Sequence, residues 1–248
     1  MKLQNSFIPA RGVGEKTERE LWESGVTHWD DFETDLLGPK TGRNVREFID
    51  AARDRLADDD AEFFCRNLPS SSLWRAYDNF AEDVCFFDTE TTGLDSARHE
   101  VTTVSLHRDG DTRTYVQGED LTCEALRGEF ADASMLVSFN GKRFDQPFLE
   151  DCFPLDVTAP HLDLMYLCKQ VGLSGGLKAV EQSVGIDRDE DDVDGREAVK
   201  LWRRYDRHED DAALERLVKY NREDAENLRV LLEEVHGRLR ADVFEPHV

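Results

Sequence analysis

The chain has 248 residues with 54 acidic and 31 basic side chains, which gives a formal net charge of −23. No apolar run approaches the roughly 20 residues of a membrane-spanning helix, and the N-terminus lacks the basic and apolar regions of a secretory signal. We therefore expect a cytoplasmic protein with no membrane partner. The five cysteines are odd in number and form no Cys-x-x-Cys pair, which argues against a disulfide framework or a zinc site.

The acidic residues are spread through patterned sequence that also contains aromatic residues, which argues against a disordered acidic tail. Arginine outnumbers lysine among the basic residues. This composition resembles that of halophilic proteins, whose hydrated carboxylates keep a folded chain soluble at molar salt. Because the Debye length falls to about 3 Å at 1 M salt, the net charge does not exclude nucleic acid as a partner.

Residues 1–80 are predicted to form a small helical N-terminal extension, followed by the main domain over residues 81–248. Gly12-Val13-Gly14 partly resembles the glycine hairpin of helix-hairpin-helix modules, whose backbone N–H groups bind phosphate at a helix start. Gly12 and Gly14 are therefore candidate substrate-binding residues. The alternative is a helical cap that packs Trp22 and Trp29 on the main domain.

The most informative stretch is an apolar, β-favouring run, residues 84–87, that leads directly into Asp88 and Glu90. Residues two apart on a strand point to the same face, so these carboxylates would converge. Two converging carboxylates repel each other unless a cation lies between them, which predicts a divalent metal site. The alternative is chance, because this acidic chain also contains the Asp-x-Glu triplets at Asp31 and Asp60.

Alternating and apolar patterns predict strands at residues 84–88, 101–107, 112–116 and 135–139, the first three as a meander. A helix is expected near residues 119–130, and from residue 162 onward the chain reads as helices only. The sequence thus predicts an α/β fold with a mixed β-sheet flanked by helices.

Asn140 and Asp145 follow the strand at residues 135–139, and ligand sites in α/β sheets gather at strand ends. An Asn-Gly turn and a helix N-cap at Asp145 would explain the same residues without a functional role.

A stripe of apolar residues marks the late helix, and Asn221 and Asp224 interrupt it. The apolar members are Leu214, Leu217, Leu228, Leu231 and Val235. A buried, unpaired carboxylate costs several kcal/mol, so Asp224 is expected to have a cation or a hydrogen-bond donor as partner. Tyr220 lies one turn earlier, close enough to share that site.

In this order the motifs resemble the DEDD (DnaQ-like) 3′–5′ exonuclease superfamily on a ribonuclease-H-like fold, and more narrowly the YprB-type predicted exonucleases. The residues that carry the resemblance are Phe87-Asp88-Thr89-Glu90-Thr91-Thr92-Gly93-Leu94, Ser138-Phe139-Asn140-Gly141-Lys142-Arg143-Phe144-Asp145, His161-Leu162-Asp163-Leu164, Gly176-Leu177-Lys178-Ala179-Val180-Glu181 and Tyr220-x-x-x-Asp224. Lys219 stands five residues before Asp224, so the chain fits the tyrosine subclass and not the histidine subclass.

The resemblance implies a 3′–5′ exonuclease that releases nucleoside 5′-monophosphates from nucleic acid with a free 3′ end, DNA being slightly favoured. It implies that two Mg²⁺ or Mn²⁺ ions are held by Asp88, Glu90, Asp145 and Asp224. Tyr220 would position the attacking water. Thr91 and Asn140 would line the terminal-nucleotide pocket, and Lys178 would meet a phosphate or form a surface salt bridge.

Other positions are expected to have supporting roles or none. We expect His161 and Asp163 to begin a helix and support the ligands, and the acidic loop at residues 187–194 to be solvated surface. Two other functions stay open at this point. One is an endonuclease or RNA-processing nuclease with the same metal site, and the other is a non-catalytic nucleic-acid-binding or scaffold protein.

Overall fold

The computed structural model describes residues 1–248, which form ten α-helices and five β-strands joined by short 3₁₀ segments. The strands are β1 (Val84–Thr91), β2 (Val101–Arg108), β3 (Asp111–Val116), β4 (Met135–Ser138) and β5 (His161–Asp163). The helices are α1 (Glu15–Glu23), α2 (Pro39–Ala57), α3 (Ala61–Asn67), α4 (Tyr77–Phe80), α5 (Cys123–Ala131), α6 (Asp145–Cys152), α7 (Leu164–Gln170), α8 (Leu177–Val184), α9 (Gly195–His208) and α10 (Asp211–Val243).

The five strands form one mixed sheet in the order β3-β2-β1-β4-β5. β1 pairs antiparallel with β2, and β2 pairs antiparallel with β3, which is the predicted meander. β4 and β5 continue the sheet in parallel with β1. The structure therefore confirms the predicted fold class, a mixed sheet flanked by helices with a helical N-terminal part.

The expectation that only helices follow residue 162 is wrong, because β5 lies at the edge of the sheet and includes Asp163. β5 is three residues long and pairs with β4 alone. Too few residues alternate in so short a strand for a sequence pattern to reveal it. Its position in the sheet depends on the parallel partner.

The two faces of the sheet are covered differently. Apolar side chains of β1, such as Cys85 and Phe87, pack with Leu126 of α5 and Leu149 of α6 in one buried cluster. On the other side, Val116 packs in a second cluster with residues of α9 and α10. This alternation places Asp88 and Glu90 on the face opposite Phe87.

The chain divides into two compact units, Met1–Glu82 with His236–Val248, and Asp83–Val235. The last turns of α10 thus belong to the same unit as the N-terminal residues, which the sequence analysis did not anticipate. The expected division at residue 80 stays a prediction for the domain organisation.

In the first unit the tryptophans are core residues. Trp22 and Trp29 are buried, and their indole N–H groups donate to the carbonyl oxygens of Asn5 and Ser6, each at 2.8 Å. Trp22 also makes an edge contact with Phe244, with ring centroids 5.1 Å apart. Both rings are therefore explained by packing inside this unit.

The glycine hairpin of the first unit starts α1. Gly12 has φ +95°, a conformation that favours glycine, and Gly14 is the N-cap residue. The first turn of α1 carries Glu15 and Glu18, and negative charge at this end of a helix competes with a bound phosphate. Phosphate binding by Gly12 and Gly14 stays a prediction.

None of the helices combines the length and the apolar character that crossing a membrane requires.

Candidate metal centre

The candidate site forms where the parallel strands β1, β4 and β5 end. The carboxyl ends of parallel strands lie at one edge of a sheet, where ligand sites gather. β1 supplies Asp88 and Glu90, the segment after β4 supplies Asn140 and Asp145, and the end of β5 supplies Asp163. The register between Glu90 and Thr91 shifts against β2, a bulge that interrupts the ladder beside these carboxylates.

Helix α10 brings Asp224 to the carboxylates of β1. Carboxylate oxygens of Asp88, Glu90 and Asp224 all lie within 4.8 Å of one another. Most of the predicted stripe on α10 is buried, since Leu217, Leu228, Leu231 and Val235 are inaccessible to solvent and Asp224 is 4 % exposed, while Leu214 is half-buried. The core-facing side of the helix therefore carries a carboxylate, and this carboxylate lies against those of Asp88 and Glu90.

Asn221, on the same stripe, holds Asp88 in place. Its side-chain amide donates to Asp88 Oδ2 at 2.7 Å, and its Oδ1 accepts from the hydroxyl of Ser105 at 2.8 Å. Ser105 Oγ lies 2.7 Å from Thr114 Oγ1. Asn221 is fully buried, so this relay fixes the orientation of Asp88 without solvent. The interrupted stripe was the sequence signal for this residue, although it was not assigned to the site.

Asp145 begins helix α6, and the turn before it is tightly built. Asn140 has φ +65°, which asparagine tolerates better than most residues. A Cβ at Gly141 would lie 2.1 Å from Ser138 Oγ and 3.1 Å from Asp145 Oδ2, so only glycine fits. The buried Asp163 accepts the N–H groups of Asn140 at 2.8 Å and Lys142 at 3.3 Å.

Asp163 also accepts the N–H of Met165 at 3.1 Å, which makes it the N-cap of α7. His161 lies 2.7 Å from Ser138 Oγ and 2.8 Å from Gln146 Oε1, and burial lowers its pKa to about 3. Both residues are thus engaged in holding the segments around β4 and α6. The hydrogen bonds of Asp163 and His161 are thus made to the segments that carry the site residues.

The carboxylates strongly influence one another's ionisation. Burial, followed by repulsion from Asp224, Asp145 and Glu90, raises the pKa of Asp88 well above its ordinary value. Burial and the charges of Asp224 and Asp145 do the same to the pKa of Glu90. Burial raises the pKa of Asp145 to about 7, against the opposing effect of backbone N–H groups, and that of Asp224 to about 6, against the effect of Arg188.

Arg188 is the cation that Asp224 contacts, and sequence reasoning missed it. Its guanidinium donates to Asp224 and, at 2.5 Å, to Glu181 Oε2, while Glu223 lies 3.7 Å away. The Arg188 side chain is 3 % exposed. The expected partner of the buried Asp224 is therefore an arginine of the chain itself. A lone basic residue inside an acidic segment was the only available signal.

The expectation that the loop at residues 187–194 is solvated surface is wrong in part. Asp187, Asp189 and Asp191 are exposed, but Val193 is fully buried together with the Arg188 side chain. The carboxylate of Glu223 on α10 accepts backbone N–H groups of the loop, including that of Glu190 at 3.1 Å. The loop is held to α10 because its inward residues have partners there, which acidity alone does not reveal.

Tyr220 lies one turn before Asp224 and lines the same cavity. Burial and the nearby charges of Asp224, Glu90 and Asp88 raise its pKa well above the ordinary value. The Arg188 guanidinium lies over its ring, 5.4 Å from the centroid. The Tyr220 hydroxyl therefore stays protonated at neutral pH and is a hydrogen-bond donor, not a base.

A cavity of about 820 Å³ opens over these residues. Of the residues predicted from sequence, it is lined by Asp88, Glu90, Thr91, Asn140, Asp145, Lys178, Tyr220 and Asp224. The Thr91 hydroxyl donates to the carbonyl oxygen of Gly93 at 2.8 Å, and Lys178 forms no ion pair. Gly12 and Gly14 are in the other unit and are not among the lining residues.

A model of the RNase H superfamily matches residues 85–236, which is more than half of the chain and contains all four carboxylates. The chain belongs to the RNase H superfamily. Its nucleases use divalent metal ions. No match is found among curated proteins.

Solved structures that resemble this chain include a family B DNA polymerase from Pyrobaculum calidifontis, with 19 % identity and a TM-score of 0.50. The match covers 61 % of this chain and 24 % of the polymerase chain, so the likeness concerns one part of that enzyme. Brucella melitensis NrnC with bound Mg²⁺ has 21 % identity and a TM-score of 0.49, over 69 % of this chain and 81 % of that one. The likeness to the polymerase concerns the fold alone.

The donor set of this RNase H superfamily member fits divalent cations. Hard cations such as Mg²⁺ and Mn²⁺ prefer carboxylate oxygens, and Asp88, Glu90 and Asp224 present such oxygens within 4.8 Å of one another. Burial and the neighbouring carboxylates raise the pKa values of Asp88 and Glu90, so the charged forms of these two groups are disfavoured unless positive charge is placed beside them. No basic side chain forms an ion pair with Asp88, Glu90 or Asp145. Bound cations would supply that missing charge.

Proposed function

We propose that the protein is a metal-dependent 3′–5′ exonuclease that hydrolyses the terminal phosphodiester bond of nucleic acid. The observation that carries the proposal is the convergence of the half-buried Asp88 and Glu90 with the buried Asp224, with the buried Asp145 beside them, in a cavity large enough for a nucleotide. Membership of the RNase H superfamily supports a nuclease. The 3′–5′ direction and the exonuclease mode rest on the resemblance to the tyrosine subclass.

In this proposal Asp88, Glu90, Asp145 and Asp224 hold two Mg²⁺ or Mn²⁺ ions. When bound, two such ions stabilise the attacking and the leaving oxygens of an in-line displacement at phosphorus. Asn221 keeps Asp88 oriented through its 2.7 Å hydrogen bond. In the reaction, the oxygen of water bonds to phosphorus and the bond from phosphorus to the 3′ oxygen breaks. A proton goes to that oxygen, and a nucleoside 5′-monophosphate leaves.

The remaining groups position the substrate. The protonated Tyr220 hydroxyl is suited to orient the attacking water by a hydrogen bond, because its raised pKa prevents it from acting as a base. Thr91 and Asn140 line the cavity beside the carboxylates, where the terminal nucleotide would lie. Lys178 also lines the cavity, and without a carboxylate partner it is available to a phosphate.

The test is an assay of the whole chain at molar KCl with Mg²⁺ or Mn²⁺. The substrates are 5′-labelled single-stranded DNA, duplex DNA and RNA. We expect a ladder of products that shorten from the 3′ end. In Asp88→Asn the rate of degradation should fall by at least a hundredfold. The matched control is Asp83→Asn, an exposed residue just before the same strand, which should keep full activity.

Products cut at internal positions would indicate an endonuclease with the same metal site instead of an exonuclease. Equal activity of the Asp88→Asn variant, or no degradation of any substrate, would refute the catalytic assignment. Calorimetric titration with Mn²⁺ gives a second readout, because Asp88→Asn should weaken metal binding even where no substrate is cut.

A further inference from the structure

Helix α9 carries a row of basic residues that the metal centre does not use. Arg196, Lys200, Arg203 and Arg207 follow one another at spacings of four, three and four residues, so they lie on one side of the helix. Ala198, Leu201 and Trp202 are buried in the core on another side. In a chain with 54 acidic and 31 basic residues, this concentration of positive charge runs against the overall composition.

The basic row begins in the cavity of the candidate site. Arg196, Lys200 and Arg203 line the same 820 Å³ cavity as the carboxylates. Arg203 also lines a second cavity of about 440 Å³, together with Arg207. The row therefore leads from the carboxylates into the second cavity. At 1.5 Å per residue it extends over about 16 Å along the helix.

The arginines of this row are free to bind a ligand. Arg196, Arg203 and Arg207 are exposed and form no ion pair, whereas the neighbouring Arg204 donates to Asp210 at 2.6 Å. Lys200 contacts Glu197 at 2.8 Å, and its side chain is 66 % exposed. Guanidinium groups bind phosphate through paired hydrogen bonds, so the row is suited to several phosphates in sequence.

We propose that Arg196, Lys200, Arg203 and Arg207 bind successive phosphates on the 5′ side of the bond that is cut. This inference rests on the proposed function and adds a substrate class to it, oligonucleotides longer than a dinucleotide. A terminal nucleotide at the carboxylates leaves the rest of its strand to run along α9. A mononucleotide or dinucleotide carries too few phosphates to reach Arg207.

The test compares a dinucleotide with a dodecanucleotide, both 5′-labelled, by fluorescence anisotropy in an Asp88→Asn background. Arg196→Gln combined with Arg203→Gln should weaken dodecanucleotide binding roughly tenfold. It should also make the slope of log K against log salt shallower by about 1.4, since each lost phosphate contact on a single strand contributes about 0.7. Dinucleotide affinity should change less than twofold. Arg204→Gln is the matched control, exposed on the same helix but outside both cavities.

An equal loss for the dinucleotide, no loss for the dodecanucleotide, or the same loss with Arg204→Gln would overturn the proposal. Thermal unfolding should be the same for the double variant and the control, because all three arginines are exposed. The two proposals fail separately. The wild-type chain could hydrolyse no substrate while the double arginine variant still binds the dodecanucleotide more weakly. In that case the exonuclease proposal is refuted and the proposed phosphate-binding row stands.

Discussion

At the scale of single residues, Arg188 supplies the positive charge beside Asp224 when no metal ion is bound. Its guanidinium lies among the carboxylates of Glu181, Glu223 and Asp224, and its side chain is 3 % exposed. Burying an ion pair gains little net stability, but removing one partner leaves a buried charge without compensation. Arg188 therefore contributes both to the stability of the fold and to the charge balance of the site.

Arg188→Gln is expected to lower the free energy of unfolding of the metal-free protein by about 3–5 kcal/mol, because Asp224 and Glu181 lose their counter-charge. Saturating Mg²⁺ should recover part of this loss by supplying positive charge near Asp224. Urea unfolding followed by circular dichroism, with and without Mg²⁺, measures both effects.

The control for this prediction is Arg216→Gln. Arg216 also joins the loop at residues 187–194 to α10, through Glu190 and Asp192, but its side chain is 35 % exposed. A loss below about 1 kcal/mol is expected there. If both variants lose equal stability, the special position of Arg188 is refuted.

At the scale of elements, α10 has two functions on one face. Leu217 and Leu228 pack in the core, while Asn221 and Asp224 between them reach the carboxylates of β1. Any movement of the helix would therefore move the site. This arrangement explains how residues more than a hundred positions apart in the chain keep a fixed geometry.

The role of Asn221 can be measured separately from catalysis. Asn221→Ala removes the donor to Asp88 Oδ2, so Asp88 loses its fixed orientation. Loss of such a supporting contact typically weakens metal binding 10–100-fold. We expect the Mg²⁺ concentration for half-maximal rate, and the Mn²⁺ dissociation constant, to rise by about this factor. Arg229→Gln, on the exposed side of α10, should leave both unchanged. An unaltered metal requirement in Asn221→Ala would contradict the positioning role.

At the scale of the whole molecule, the stability of the fold depends on charge. A formal net charge of −23 produces self-repulsion that salt screens. The converging carboxylates of the candidate site add a local form of the same repulsion. Halophilic behaviour and a cytoplasmic location stay predictions from composition.

The stability of the metal-free protein is expected to fall as the pH rises from about 4 to 7. In the unfolded chain the carboxyl groups lose their protons near pH 4, whereas burial holds the pKa of Asp145 at about 7 and that of Asp224 at about 6 in the fold. At these carboxyl groups the native state binds more protons in this window, so their contribution to stability declines as the pH rises. The lowered pKa of His161 acts in the opposite direction, but it is one group against the four carboxyl groups of the site. Thermal unfolding across this range, with EDTA and then with Mg²⁺, should show stabilisation by Mg²⁺ that increases with pH. A metal effect independent of pH would contradict the coupling.

Much of this protein is encoded locally. The apolar run before Asp88, the meander and the stripe on α10 follow from side-chain periodicity, because two-residue and 3.6-residue repeats decide which face is buried. The same periodicity predicted that Asp224 lies in the core and needs a partner. The fold class could therefore be derived from sequence.

The tertiary structure alone decided which partner Asp224 has and what surrounds the carboxylates. Arg188, the short strand β5 and the cavity-lining row on α9 give no distinctive local pattern, since their roles come from contacts with distant segments. Periodicity reports which face of an element is buried, but not what is buried against it. The sequence thus determined that carboxylates would converge at the end of β1 and that one would be buried on α10, and the packing determined how their charge is held.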